Sequence, residues 1–520
     1  MKHLLLLLAL LGTTCALAQE EPYYMDLEEV KLSSFEGLHS GVGIKWKEYW
    51  LFIGGRTNGL HGFRPPLAFP SRSVHDKIVL IDPEKDQRWE QSMTDWADVL
   101  REPLSSSNMQ YAVKGDQLLI SGGYGWQESF DDFTTFPSLC FVSIPKLIEK
   151  LKANESAESL FTQVTDKAFA VCGGNMGFLG DTCILAFGHE FIGHYSRHNN
   201  GFFSQEYTNE VRRFMFDEKA DPQIKLLTPL RDTLNFHRRD YNLVPQMQGE
   251  KLYYTAYSGV FQYDVNLPFY HPVELHVDQK VELPEFQQKY AHYHSAVLPV
   301  YDKSNSRMHT YFFGGMAEYY IDSSSGQEVH DTLVPFVKTV SRVSRGSNGY
   351  SESVLANRMP LFMGSNMWFF PADGIGYYNG KVLNASYIKG RTLVGYLVGG
   401  ITSPYDNINL VDPSISVANK RVYKVYLSDI PLLTKLKQSA GIELNVHPNP
   451  SSGQFFLSLA PGAGKEFLFE VLDLQGRVLK TWTGIGEKTL IWAPGSLKKG
   501  TYIARATVNG SVTEKKLIWE

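Results

Sequence analysis

Runs of aromatic and aliphatic residues that end in a glycine pair, or a close variant of one, recur along the chain. The first residue of each pair stands at positions 54, 122, 188, 258, 314 and 399. Successive positions therefore differ by 68, 66, 70, 56 and 85, with a mean of 69. Repetition at a nearly fixed period is typical of architectures built from one repeated unit. The pattern predicts six such units, or seven if the longest interval, between positions 314 and 399, contains a degenerate copy.

Each unit reads as about four short strands. In NMQYAVKGDQLLISGG, two strand-like runs are separated by Lys114-Gly115-Asp116, which suits a reversal between strands. Further extended segments, such as KIVLIDPEKDQRWE and SLCFVSIP, follow the glycine pairs. A four-stranded sheet cannot bury both faces alone, but a radial arrangement lets neighbouring sheets cover one another. We therefore predict an all-β chain with a β-propeller over residues 34–430. Within the N-terminal segment 19–33, Asp26 to Leu32 is a candidate strand that would close this propeller.

The glycine pairs have a mechanical explanation in a propeller. Its sheets converge on a central channel, where backbones approach closely and side chains have little room. The sequences FIGG…KIVLIDPEKDQRW and ISGG…SLCFVSI resemble kelch repeats, in which a glycine pair precedes an aliphatic strand and a downstream Trp. Two units depart from the pattern with Gly188-His189 and Ser258-Gly259, and the period exceeds the kelch norm of about 50 residues. The resemblance implies a kelch-like propeller.

Positions 1–18 have the features of a secretory signal peptide. Lys2 precedes an apolar run at positions 4–11, and Ala16 and Ala18 form an A-x-A-like cleavage site. The apolar run is too short to span a bilayer, and no later stretch reaches about 18 uninterrupted apolar residues. We therefore predict export of the chain and no transmembrane segment.

The cysteines leave two questions open. Cys15 would suit a lipoprotein signal, but Thr14 occupies the position where that cleavage usually needs a smaller residue. Cys172 and Cys183 flank a glycine-rich turn and could form a disulfide, whereas the interpretation we favour treats them and Cys140 as small buried hydrophobic residues. Because no C-x-x-C pair is present, we expect no structural zinc site and no cofactor.

The C-terminal segment, 442–520, alternates strands and turns on a different plan after the linker 431–441. Three short motifs occur there in order, and their principal residues are Pro448, Asn449, Pro450, Gly476, Arg477, Gly500, Tyr502 and Lys515. Together they resemble the type A C-terminal sorting domain of the type IX (Por) secretion system. The alternative is an ordinary fibronectin-like accessory β-sandwich.

This resemblance implies a destination and a partner. It implies that the chain comes from a bacterium of the Bacteroidota and crosses the periplasm. The type IX translocon would then recognise its C-terminal domain. The mature protein is then secreted or held on the outer-membrane surface. Such a domain is a sorting signal, and it gives no information about the activity of the protein that carries it.

The composition argues against nucleic acid as a partner. Lys and Arg number 50 against 55 Asp and Glu, which gives a net charge of −5. The chain therefore lacks the basic excess that attracts nucleic acid. Aromatic residues make up 13% of the chain and glycine occurs 44 times, as suits many short strands joined by turns.

One histidine-rich segment invites a metal-site interpretation. GHEFIGHYSRH contains His189, Glu190, His194 and His198, but a zinc protease needs two His four positions apart on one helical face. Here the second His comes five positions after the first and follows a strand. The protease interpretation is therefore unsupported, and a metal site in a loop is a weaker alternative to ordinary residues of the rim.

The topology of the unit predicts which residues meet. In a four-stranded up-and-down sheet, the loop that enters the first strand and the loop that leaves the second open at the same end. The candidate ligand-binding residues on these loops are Arg56, Tyr124, Trp126, His189, Glu190, Arg239, Asp240, His292 and Glu318. Arginines and carboxylates beside aromatic rings suit a polar ligand. The alternative is structural, with Arg239 and Asp240 forming an ion pair between sheets.

Two functions fit this arrangement. The first is a secreted or cell-surface binding module that recognises a glycan or a protein through its loop-rich mouth. The second is an extracellular carbohydrate-active enzyme, epimerase-like or hydrolase-like, that uses His189, Glu190 or Glu318 as acid or base. Copper-oxidase chemistry of the galactose oxidase kind needs a Tyr–Cys cofactor beside two His, and no cysteine stands beside such a set. Since no phosphate loop or G-x-S-x-G elbow is present either, binding is favoured.

Overall fold

The chain is an all-β protein, as predicted. A computed structural model describes residues 22–197, 203–221, 223–322, 325–408, 413–429, 443–460, 466–474, 477–485, 489–495, 497–508 and 511–520. The predicted signal peptide and the linker 431–441 lie outside these ranges. Within them, no helix is long and apolar enough to cross a membrane.

The first two repeats form two four-stranded antiparallel sheets, I and II. Strand β1 (Tyr24–Val30) precedes both of them. Sheet I contains β2 to β5, which are Val42–Trp46, Tyr49–Ile53, Lys77–Asp82 and Gln87–Ser92. After helix α1 (Asp98–Leu104), sheet II contains β6, β7, β10 and β11, which are Gln110–Lys114, Gln117–Ser121, Ser138–Ser143 and Thr162–Thr165. A separate hairpin, β8–β9 (Tyr124–Gln127 and Asp132–Thr135), follows β7, and helix α2 (Ile144–Ala153) follows β10.

Sheets III and IV follow the same strand order. Sheet III contains β12, β13, β16 and β17, which are Asn175–Leu179, Thr182–Ala186, Glu210–Phe216 and Ile224–Arg231. The hairpin β14–β15 (His189–Gly193 and Phe203–Tyr207) follows β13. Sheet IV contains β18 to β21, which are Asn242–Gln248, Lys251–Tyr257, Val273–Leu275 and Lys280–Glu282.

Sheets V and VI complete the set. Sheet V contains β22, β23, β26 and β27, which are Ala296–Asp302, Arg307–Phe313, Val340–Gly346 and Gly349–Val354. The hairpin β24–β25 (Tyr319–Ile321 and Glu328–His330) follows β23. Short strands β28, β30, β31, β33 and β34 are Phe362–Met363, Tyr377–Tyr378, Val382–Asn384, Ile401–Ser403 and Val417–Ala418. Strand β31 pairs parallel with β22 and antiparallel with β30, so these two short strands extend sheet V at its β22 edge. Sheet VI contains β29, β32 and β35, which are Met367–Pro371, Thr392–Gly399 and Val422–Ser428.

The fourth strand of sheet VI comes from the opposite end of the chain. Strand β1 pairs antiparallel with β35, from Tyr24 opposite Ser428 to Val30 opposite Val422. Met25, which is 3% exposed, packs in the hydrophobic cluster between sheets V and VI. The segment that the sequence offered as a closing strand therefore begins two positions earlier, at Tyr24, and lies at the outer edge of the last sheet.

Backbone hydrogen bonds connect each sheet to the next and sheet VI to sheet I. The N–H of the second residue of each glycine pair, or of Gly188 in the third repeat, donates to a carbonyl that precedes the following sheet. These donors and acceptors are Gly55 to Ser106, Gly123 to Val171, Gly188 to Arg238, Gly259 to His292, Gly315 to Met363 and Gly400 to Leu38, with N···O distances of 2.9–3.1 Å. A Cβ on Gly122 would lie 1.9 Å from the Val171 oxygen, which is why side chains are excluded there. Buried hydrophobic clusters fill the spaces between the same pairs of sheets.

The C-terminal residues form a separate two-sheet structure. One sheet contains β36, β37 and β40, which are Glu443–His447, Phe455–Ala460 and Leu490–Trp492. The other contains β38, β39, β41 and β42, which are Glu466–Leu472, Val478–Ile485, Gly500–Val508 and Ser511–Trp519. Residues from both sheets, including Phe455 and Phe469, form one buried cluster.

Several predicted motif residues hold this C-terminal structure together. The Asn449 side chain accepts from the N–H of Ile518 at 2.8 Å and donates to the carbonyl of Lys516 at 2.5 Å, which fixes the turn to the last strand. The Arg477 Nε donates to Asp473 at 2.9 Å. Tyr502 donates to the carbonyl of Lys498 at 2.5 Å. Pro448 and Pro450 flank Asn449, Gly500 begins β41, and Lys515 lies on β42, whereas Gly476 is outside the described residues.

Candidate functional site

A chain of backbone hydrogen bonds runs through all six sheets immediately before their first strands. It joins residues at equivalent positions of the repeat, namely Ser40, Asn108, Gly173, Asp240, His294 and Asn366. The N–H of each residue after Ser40 donates to the carbonyl of the one before it, at 2.7, 3.2, 2.8, 2.7 and 2.9 Å. All except His294 have φ between 51° and 65°, which suits Ser, Asn, Gly and Asp. These residues therefore bring one segment of every sheet to a common centre.

A cavity of about 640 Å³ lies at this centre. Its wall includes the residue that precedes each central position, namely His39, Ser107, Cys172, Arg239, Tyr293 and Ser365. A second cavity, of about 230 Å³, is lined instead by residues that follow the central positions, such as Gly41 and Gln110. The central backbone segments therefore form the floor that separates the larger cavity from the smaller one.

The strand topology explains how the wall of the larger cavity is assembled. The residue before each central position pairs through backbone hydrogen bonds with a residue that follows the second strand. Examples are His39 with Arg56, Ser107 with Tyr124 and Cys172 with His189. The two loops of a repeat therefore meet at one end of their sheet, as the topology predicts.

Arg56 is a buried cation in this wall. It is 5% exposed, and its guanidinium lies 5.3 Å from the centre of the Phe69 ring. Its Nη2 donates to the carbonyl of Pro70 at 2.7 Å and its Nε donates to the Asn58 side chain at 3.2 Å. Burial lowers the pKa of Arg56 to about 10, so the group is still charged at neutral pH.

Arg239 and Asp240 form the ion pair that the structural alternative foresaw, between adjacent residues of one loop rather than between sheets. Burial lowers the pKa of Arg239, but Asp240 and the nearby tyrosines outweigh that effect and raise it overall. Both side chains line the cavity and are 21% and 17% exposed. The Nε of Arg239 is buried without a hydrogen-bond partner. Arg239 therefore still faces the cavity, although Asp240 neutralises part of its charge.

Aromatic rings form much of the remaining wall. Phe191 and Phe203 of hairpin β14–β15 stack with ring centres 4.3 Å apart, and Tyr195 stacks on Phe203 at 6.0 Å. Tyr124 donates its hydroxyl to the carbonyl of Gly193 at 2.6 Å, which ties hairpin β14–β15 to hairpin β8–β9. Tyr293 completes the set on the side of sheet V. The wall thus combines flat apolar faces with polar edges.

The cavity histidines are held neutral. Burial lowers the pKa of His39 to about 3 and that of His61 to about 4, and it also lowers the pKa of His189 well below its usual value. His39 donates from Nε2 to the carbonyl of Asn58 at 2.8 Å. His189 accepts at Nδ1 from Gln205 at 2.6 Å. These rings therefore act as fixed hydrogen-bonding groups and carry no charge at neutral pH.

Five of the nine predicted ligand-binding residues line the cavity, namely Arg56, Tyr124, His189, Arg239 and Asp240. Trp126 does not, because it lies two positions further along hairpin β8–β9 than Tyr124 and is 42% exposed. Glu190 alternates with His189 and Phe191 on strand β14, so its side chain leaves the cavity and pairs with Lys167 at 2.5 Å.

The other two exceptions lie behind the wall near sheets IV and V. His292 is fully buried, donates to the carbonyl of Gln288 at 3.2 Å and accepts from the N–H of Glu318 at 3.0 Å. Glu318 is 1% exposed and accepts from Tyr270 and His330, each at 2.6 Å. Neither residue lines the cavity, although the sequence pattern placed both at the mouth.

Sequence reasoning missed several wall residues, including His39, His61, Tyr195, Arg197, Tyr293 and Asn366. The first strands supply the signal that would have found His39 and Tyr293. Both residues immediately precede a central position, so aligning the repeats on the start of the first strand, rather than on the glycine pair, would place them together. His61 and Tyr195 lie in loops outside the repeated strands, where the period carries no information.

The described residues contain no cluster of three His, Cys, Asp or Glu arranged to hold a metal ion. His194 instead donates from Nε2 to the carbonyl of Ala68 at 2.8 Å, and His198 lies outside the described ranges. Cys140, Cys172 and Cys183 are buried free thiols, in line with the interpretation we favoured. Burial raises the pKa of Cys172 to about 12, so it stays protonated.

The solved structures that match this chain include two of low sequence identity. One is a fungal alcohol oxidase of the AA5 family in complex with copper, with 8% identity and a TM-score of 0.36 over 95% of this chain and 99% of that chain. The other is YjhT, with 8% identity and a TM-score of 0.42 over 74% of this chain and 93% of that chain. At these TM-scores, neither similarity supports a conclusion about this chain. Comparison with curated protein sequences finds no match.

The C-terminal end gives a family match. Residues 445–520 match the family described as a secretion system C-terminal sorting domain, which coincides with the two-sheet structure that begins at β36. This result supports the predicted type IX sorting domain and a secreted or cell-surface location. The chain therefore carries, at residues 445–520, a C-terminal sorting domain that indicates export through the type IX secretion system.

Proposed function

We propose that the six sheets form a six-bladed kelch-like β-propeller, with β1 closing the last blade. Three observations support this proposal. Each sheet contains a set of four antiparallel strands, which in sheets I to V run in sequence order, and sheet V is extended by β31 and β30 beyond β22. Hydrogen bonds from the glycine pairs link each sheet to the next and sheet VI to sheet I. Hydrophobic clusters occupy the same six junctions, as expected where neighbouring blades cover one another.

We further propose that this propeller is a binding module that recognises a glycan or a protein on or outside the cell. The observation that carries the proposal is a single cavity of about 640 Å³ to which all six sheets contribute. Its volume is in the range of ligand pockets, about 300–1,000 Å³. Aromatic faces beside guanidinium, amide and imidazole groups suit a polar ligand with some apolar surface.

The arrangement favours binding over catalysis. Of the three residues considered as acid or base, only His189 lines the cavity. Glu190 pairs with Lys167 and Glu318 is buried behind the wall. A general acid–base mechanism needs a titratable group within reach of the substrate, and the low pKa of His189 keeps that ring from serving as an acid.

The test is a glycan and peptide screen with the mature full-length chain, followed by substitution of a wall residue. Tyr195→Ala removes a ring from the wall and should weaken binding at least about fivefold, since an aromatic contact contributes about 1 kcal/mol. Tyr387→Ala is the matched control, because Tyr387 is 48% exposed and lies outside the cavity. Equal loss of affinity in both variants, or no loss in Tyr195→Ala, would contradict a ligand site in this cavity.

A further inference from the structure

The wall of the larger cavity carries more positive than negative charge. Its charged residues are Arg56, Arg197, Arg239 and Asp240. Asp240 is paired with Arg239, which leaves two guanidinium groups without a carboxylate in the lining. An excess of this kind inside a concave site attracts anions, because the cavity walls concentrate the field.

Arg56 is a buried cation that has no carboxylate partner among the described residues. Among the ion pairs of the described residues, none includes Arg56, although this side chain is 5% exposed. Its two hydrogen bonds described above reach neutral oxygens, those of Pro70 and Asn58. Buried charges in proteins are normally paired, since desolvation without a counterion is costly. Arg238 provides the contrast, because it is fully buried away from the cavity and donates to the carbonyls of Asn235, Ser258 and His271.

Arg239 supplies a second donor. Its Nη1 is committed to Asp240, but its Nε is buried and has no partner. An oxyanion has several lone pairs, so it can accept from two guanidinium groups at once. The stacked rings of Phe191, Phe203 and Tyr195 stand in the same wall and offer flat faces for the C–H groups of a sugar ring.

The floor limits how a polymer enters. The central backbone segments, joined by hydrogen bonds of 2.7–3.2 Å, separate the larger cavity from the smaller one. We therefore expect the end of a polymer, rather than its middle, to occupy the larger cavity.

We propose that the cavity binds the terminal residue of an acidic saccharide, whose carboxylate or sulfate group accepts hydrogen bonds from Arg56 and Arg239 while its ring lies against the aromatic wall. This inference rests on the proposed binding function and adds the class of ligand. The favoured occupant is a saccharide rather than an acidic peptide, because the wall pairs the arginines with stacked aromatic faces.

The experiment compares titration calorimetry of the mature full-length chain with glucuronic acid, glucose, glucose 6-sulfate and an acidic tetrapeptide. Hydrogen bonds to a charged group contribute about 1.5–3 kcal/mol, so the acidic sugars should bind roughly 10-fold to 150-fold more tightly than glucose. Added salt should weaken this preference. Arg56→Gln should lower affinity for the acidic sugars far more than affinity for glucose, and Arg56→Lys should retain part of the preference.

Arg72→Gln is the matched control, because Arg72 is exposed on the same loop and lies outside the cavity. Thermal unfolding of each variant separates a loss of binding from a loss of folding. Equal binding of glucose and glucuronic acid, or a preference that survives Arg56→Gln, would overturn the acidic ligand. If neutral glycans bind, and their binding depends on Tyr195, then the proposed binding function stands and the acidic ligand class is refuted. Arg56-dependent binding of the peptide alone would overturn the saccharide class.

Discussion

Strand β1 offers a direct test of how the six sheets are held together. We predict that Met25→Ala weakens the docking of β1 far more than a substitution of an exposed residue on the same strand. Met25 is 3% exposed and packs among residues of sheets V and VI, including Leu298 and Val425. Removing most of a buried Met side chain costs about 2–5 kcal/mol, because apolar contacts are lost and a cavity is left behind.

The assay is native-state hydrogen exchange of the mature full-length chain, followed by mass spectrometry of peptides that contain residues 24–30. A cost of about 2–5 kcal/mol multiplies the population of the opened strand by roughly 30-fold to 5,000-fold. Exchange of β1, and of the partner strand β35, should accelerate by that factor. Peptides from β38 in the C-terminal domain should not change.

Glu28→Ala is the control, because Glu28 lies exposed on the same strand and forms a surface ion pair with Arg391 at 3.0 Å. Surface pairs contribute about 0–1 kcal/mol, which corresponds to at most roughly a fivefold change in exchange. If Met25→Ala and Glu28→Ala accelerate exchange of β1 equally, then burial of Met25 does not hold the strand, and the closure of sheet VI by β1 loses its physical basis.

Three further predictions follow from the fold. Gly122→Ala should lower the urea midpoint more than Gly115→Ala, since both glycines have positive φ but only the first would bring a Cβ within 1.9 Å of a carbonyl oxygen. The free energy of unfolding should fall as the pH drops from about 6.5 to about 4, because burial lowers the pKa of His309 to about 4 and the unfolded chain then binds the extra proton. Because burial also lowers the pKa of His39, His61 and His189, His309→Gln should make this slope shallower without abolishing it. Deletion of residues 442–520 should leave the remaining protein in the periplasm, and its appearance on the cell surface at normal levels would contradict the sorting assignment.

Much of the fold was predictable because backbone geometry repeats. The second residue of the glycine pair, or Gly188 in the third unit, donates the equivalent hydrogen bond in all six units, so the spacing of the pairs marked the sheets even where Ser258 replaced a glycine. The turn at Gly115-Asp116 lies where the sequence placed it, between paired residues Lys114 and Gln117. The additional hairpins, such as β14–β15, were not foreseen, because they are inserted between the second and third strands and interrupt the alternation that reveals strands.

The site was less predictable, because its side chains depend on register within single strands. His189 and Glu190 are neighbours in sequence, yet alternation on β14 turns one into the cavity and the other toward Lys167. Trp126 follows Tyr124 by two positions and shares its face of the strand, but it lies beyond the rim. Knowing which loops meet at one end therefore identified the right segments and only about half of the residues.

The same geometry explains why this chain reveals its architecture more readily than its ligand. The floor of the cavity is made by backbone N–H and carbonyl groups, so it tolerates Ser, Asn, Gly, Asp and His at equivalent positions. The residue just before each of these positions faces the cavity, and the six repeats place six side chains there, namely His39, Ser107, Cys172, Arg239, Tyr293 and Ser365. Substitution at these positions changes the chemistry of the wall without breaking a hydrogen bond of the floor. Periodicity therefore records the backbone that builds the cavity, whereas the chemistry of the wall depends on side chains that differ between repeats, Arg56 and Arg239 among them.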